Sequence, residues 1–170
     1  MTDETLLPPT PDPTAAAGSP LAVSSEIGPA DLQAARRRRA GLRRLCRHLG
    51  EALASTDARA PDHEAVARAL SELAECWSRH VADTEAPDGL LNQILTDAPR
   101  LATTVERFRR EHPAITARIV ATADRLADRT ADRTDVEQHV AGLLATIERH
   151  RRGGGELIHS AYNIDIGLGE

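Results

Sequence analysis

The sequence predicts an all-α protein folded as an antiparallel up-down four-helix bundle. The chain is rich in alanine, leucine and arginine and poor in β-branched runs, a composition that favours helix over strand. Four long segments repeat apolar residues at the period of one helix face. Three polar connections join them, as an up-down bundle requires. Of 170 residues only Trp77, Phe108 and Tyr162 are aromatic, so the core must be built mainly from Leu, Ile, Val and Ala.

Residues 1–28, which include "LLPPTPDPTAAAGSP", hold Pro, Thr, Ala and acid without a sustained period and are expected to form a disordered leader. The bundle is expected over residues 29–165, with a short C-terminal tail at 166–170. The first helix starts at "GPADLQ", where Pro29 suits a first turn, and runs to about Ala54 with Leu42, Leu45, Leu49 and Leu53 on one side. The second spans about His63 to Thr84, with Val66, Leu70, Leu73, Trp77 and Val81 inward, and stops at "EAPDG". A short helix follows in "LLNQILTDA". The third long helix runs from about Pro99 to Asp128 and is expected to bend at Pro113, which cannot donate a backbone bond. The last long helix carries Val136, Val140, Leu143, Ile147 and His150 on one side.

Composition excludes several chemistries. All 21 basic residues are arginine, which removes Schiff-base chemistry, a phosphate-loop lysine and a lysine base. Two cysteines, Cys46 and Cys76, are too few for a four-cysteine metal site or a disulfide framework. A net charge of −5 opposes general nucleic-acid binding, and the run Arg36 to Arg39 reads as a solvated helix face. No window approaches about 18 unbroken apolar residues, and no signal-peptide pattern opens the chain. A soluble cytoplasmic protein without membrane or nucleic-acid partners is expected, and no protein partner is indicated.

His112 stands at the centre of the stripe made by Leu101, Val105, Phe108, Ile115, Ile119 and Leu126. It is either a core histidine bonded to a neighbouring helix or a metal ligand with companions. Ala131, in the turn that follows, lies 19 residues after His112 and 19 before His150, so antiparallel packing sets these two imidazoles at one level. His80 lies at the edge of the second helix's apolar side, one turn from Trp77. Three histidines on three helices make a candidate metal site. The first turn, centred near Arg59, lies 21 residues after Arg38 and 21 before His80, so Arg38 faces the level of His80 and can pair with Glu85 or Asp83.

The segments "SRHVADTEAPDGLL", "RFRREHPAI" and "IERHRRGGGELIHSAYNIDIG" resemble the hemerythrin-like proteins with the HHE cation-binding domain, over roughly residues 30–165. The resemblance implies a bundle holding non-haem iron, mononuclear or paired, that binds or senses oxygen, nitric oxide or peroxide. It implies a ligand set of His80, Glu85, His112, His150 and Glu156. Here the acids stand at shifted spacings, since Thr84 and Gly155 occupy the places where that family carries carboxylates. Gly153 to Gly155 provide either a bulge that swings Glu156 inward or a frayed helix end. The alternative function is a metal-free interaction or regulatory module, and a small diiron oxygenase is the minor one.

Overall fold

The computed structural model describes residues 29–54, 63–128 and 130–162; the expected leader, the first inter-helix turn and the C-terminal tail lie outside the described residues. Among the described residues there is helix and no strand. The long helices are α1 (Pro29–Ala54), α2 (His63–Glu85), α4 (Ala102–Ala127) and α5 (Arg133–Tyr162). The short α3 (Leu90–Asp97) and a 3-10 turn at Pro99–Leu101 connect α2 to α4.

Contacts between neighbouring helices run in opposite sequence directions. Arg38 meets Asp83 while His48 meets Glu72 across α1 and α2. Glu111 meets His150 while Arg125 meets Asp135 across α4 and α5. Trp77 bonds Thr116 while Glu85 bonds His112 across α2 and α4, and Arg39 bonds Arg151 while Gly50 lies beside Leu144 across α1 and α5. This is the antiparallel sense that places residues from distant parts of the chain at one level.

Local chemistry sets the connections. Gly89 precedes α3, and a Cβ there would come within 2.7–2.8 Å of the carbonyl oxygens of Asp83, Thr84 and Ala86, so only glycine fits this close turn. Asn92 Nδ2 donates to the Ala86 carbonyl at 2.8 Å and pins α3 under the end of α2. Before α5, Asp132 Oδ1 accepts the backbone N–H of Asp135 at 2.8 Å, which satisfies one of the helix's free donors. Pro113 sits on the exposed side of α4, and the helix continues through it without interruption.

The core forms two apolar clusters. The larger joins all four long helices through Leu42, Leu49, Leu73, Trp77, Ile115, Leu143 and Ile147, among others. The smaller packs α3 against the start of α4 and the end of α5 through Leu91, Ile94, Val105, Phe108 and Leu157. Cys46 borders the larger cluster, and burial first, with Glu148 and Cys76 after it, pushes its thiol up to about 11, so it stays protonated at neutral pH. No described helix is long and apolar enough to cross a membrane.

Leu143 is fully buried and Val120 is 53% exposed. Leu143→Ala should lower unfolding free energy by about 2–5 kcal/mol through lost burial and an unfilled cavity. Val120→Ala should change it by no more than about 0.5 kcal/mol. Urea denaturation of the two variants checks both values.

Candidate metal centre

The two apolar clusters are separated by a polar layer. On α4, His112 lies one turn from Phe108 of the smaller cluster and less than a turn from Ile115 of the larger. On α5, His150 stands between Ile147 and Leu157, and on α2, His80 follows Trp77. The register of the antiparallel helices therefore brings the three imidazoles together, with ring centroids 5.1–5.6 Å apart. One ring nitrogen of each lies within 4.8 Å of one on each of the others.

Two carboxylates fix the orientation of the rings. His112 Nδ1 is 2.6 Å from Glu85 Oε1, and His150 Nδ1 is 2.8 Å from Glu111 Oε2. An ionised carboxylate only accepts, so each Nδ1 carries a proton and Nε2 is the nitrogen left to face the other rings. His80 Nε2 faces His150 Nε2 at 3.3 Å. Burial first, and then the neighbouring His150 and His112 and the arginines Arg38 and Arg39, push His80 down to about 3. Burial also lowers His150, with Glu111 opposing. Both rings are thus neutral at physiological pH, the state in which an imidazole can donate a lone pair.

Aromatic rings close the layer on both sides. Trp77 lies 5.2 Å from the His80 and His150 rings and 5.6 Å from His112, and its indole N–H donates to Thr116 Oγ1 at 3.0 Å. Phe108 lies 4.9 Å from His150. Thr84 turns its hydroxyl back to the His80 carbonyl at 2.7 Å.

The expected site residues divide into two groups. His80, His112 and His150 come together as the register requires. Glu85 reaches the layer through the Nδ1 side of His112, where it orients a ring and is not among the three converging nitrogen donors. Glu156 is exposed and lies near Arg107, Glu111, Arg149 and Arg152, outside the histidine group. The reason is geometric. α5 is a regular α-helix through Gly153, Gly154 and Gly155, with no glycine at positive φ, so no bulge re-aims the chain. Six residues after His150 at about 100° each put Glu156 roughly 120° away from that histidine's face.

The glycines serve close packing instead. A Cβ at Gly153 would stand 3.2 Å from Phe108 Cζ, and one at Gly155 would overlap the Arg39 guanidinium. Arg39 is the further correction, since a run expected to be solvated sends this side chain inward, where Nη2 donates to the Arg151 carbonyl at 2.9 Å. Arg38 stays about one-third exposed and pairs with Asp83 at 3.8 Å, one of its two expected partners. Glu111 was not expected in the site. Its signal was present, because the register that aligns His112 with His150 also aligns the residue beside it.

The arrangement suits a single ion. At bond lengths of about 2.0–2.1 Å, a tetrahedral metal holds two imidazole nitrogens roughly 3.3 Å apart, which is the separation of the His80 and His150 Nε2 atoms. A histidine ligand whose other nitrogen donates to a carboxylate is the usual supporting arrangement at such sites. No carboxylate oxygen joins the three nitrogens among the described residues. Compared with known proteins, the chain matches no family model, no curated protein and no solved structure.

A Cβ on Gly154 would meet Phe108 Cε1 at an ordinary 3.7 Å. Gly154→Ala should therefore raise unfolding free energy by about 1 kcal/mol through helix propensity alone. Destabilisation in a thermal melt would show that the backbone here is not regular helix.

Proposed function

We propose that the chain is a metal-binding helical bundle, hemerythrin-like in its layout, that holds one transition-metal ion on His80, His112 and His150. The observation that carries this reading is the pair of carboxylate-held imidazoles, His112 on Glu85 and His150 on Glu111, whose free Nε2 atoms share a layer with His80. Iron is the ion the resemblance implies. Three imidazoles without thiolate suit iron, zinc, copper or nickel, so competition among these ions decides the identity.

The cavity beside the histidines has a volume of about 50 Å3. One water needs about 10–15 Å3 on such a measure, so the space fits a ligand of two or three heavy atoms. That size supports binding or sensing of a small molecule such as oxygen, nitric oxide or peroxide, and disfavours an oxygenase that acts on a metabolite. Once held, the ion would supply an open coordination position and Lewis acidity. The chain's own residues do the rest: Glu85 and Glu111 keep the protons on Nδ1, while Trp77 and Phe108 exclude water from the layer.

A second reading has one observation in its favour. The 3.3 Å approach of His80 to His150 satisfies both rings as a direct hydrogen bond, as it would in a metal-free interaction module.

Metal analysis of protein purified without a histidine tag separates the two. We expect about one ion per chain, loss of that ion with a retained helical fold in His112→Leu, and affinity weakened by about 10–100-fold in Glu85→Gln. Glu156→Ala should leave the metal content unchanged. Absence of metal after loading with each candidate ion, or equal retention in His112→Leu, would favour the metal-free reading.

A further inference from the structure

The cavity beside the histidines has a second set of lining residues, Arg38, Arg39 and Arg151, and no carboxylate lines it. Two of these charges are answered elsewhere. Arg38 pairs with Asp83 at 3.8 Å, and Arg151 is held by both oxygens of Glu148 at 2.6 and 2.9 Å. Arg39 has no carboxylate partner among the described residues; it bonds a carbonyl, that of Arg151. Burial first, and then the charge of Arg151, lowers its pKa, the sign of a cation held in an unfavourable place. A guanidinium nevertheless stays charged in a protein. The helix opposite is cut back to receive it, because any side chain at Gly155 would overlap its Nη2. A partly buried cation without a carboxylate partner, beside a cavity, favours a counter-ion.

We propose that the cavity binds a small monovalent anion of two or three heavy atoms, held between Arg39 and the open position of the ion on His80, His112 and His150. The inference rests on the metal reading above. A divalent ion faces Glu85 and Glu111, each bonded to one of its histidines, and Glu111 is shared with Arg107 at 3.6 Å, so no carboxylate is left over for Arg39. The volume of about 50 Å3 matches an anion the size of azide, nitrite or superoxide better than a nucleotide or a sugar phosphate. A neutral diatomic would leave Arg39 uncompensated, so the arginine selects for charge. Arg39 is here a binding residue, and Gly155 is a positioning residue that acts through it.

Cobalt(II)-loaded full-length protein in chloride-free buffer, titrated with sodium azide and followed by the visible cobalt bands, tests the proposal. The bands should shift and saturate in the unmodified protein. Arg39→Gln should weaken azide binding at least tenfold while cobalt remains at one per chain, and Arg39→Lys should fall between the two. Gly155→Ala displaces the guanidinium without removing its charge and should also weaken azide binding, with no loss of thermal stability because the arginine end can swing aside. Cobalt bands indifferent to azide, or an azide affinity in Arg39→Gln and Gly155→Ala equal to that of the unmodified protein, would overturn the anion site while leaving the metal reading standing. Failure to take up cobalt at all would overturn the metal reading, and the anion site with it.

Discussion

Two hydrogen bonds govern the centre of this bundle: His112 to Glu85 and His150 to Glu111. A buried imidazole without a partner would be costly in a core otherwise made of Leu, Ile and Val. Here each ring is only 2–5% exposed, while its carboxylate stays about one-third exposed and keeps part of its hydration. The charge therefore remains near water while its field acts inward. Each bond also decides which nitrogen carries the proton, and so which nitrogen has a lone pair to offer. A polar layer that would be a defect in an apolar bundle becomes a set of aimed donors.

The surrounding packing makes that layer selective. Apolar clusters lie on either side, and Trp77 and Phe108 abut the rings, so electrostatic interactions between the buried rings are stronger than they would be in water. The same partial burial makes the placement of Arg39 consequential. Its guanidinium reaches the cavity through a gap in α5 that exists because residue 155 has no side chain. The proposed metal and anion sites thus share one cavity of about 50 Å3, lined by the three imidazoles and by Arg38, Arg39 and Arg151.

Much of the architecture was legible in the sequence because it follows from periodicity. The four apolar stripes gave the long helices, and the count of residues on either side of Ala131 placed His112 opposite His150. What periodicity could not resolve lies one residue off a stripe. Glu111 and Glu85 approach the histidines from the flanks, where side-chain length and rotamer decide the contact. Arg39 sits in a run of four arginines whose members look alike in sequence, and only the approach of α5 distinguishes it. Glu156 falls outside the histidine layer because α5 stays regular through its three glycines, of which Gly153 lies against Phe108 and Gly155 against Arg39. The leader and the tail lie outside what the structure describes, so the disorder expected of them is untouched by it.

X-ray absorption of the metal-loaded, tag-free protein addresses the centre directly, because it reads the atoms around the ion and not only its presence. One ion per chain, with three imidazole nitrogens at about 2.0–2.1 Å and no second metal nearby, is the expected result. A metal–metal vector bridged by carboxylate oxygen, or a shell made mostly of oxygen, would contradict a site built from His80, His112 and His150.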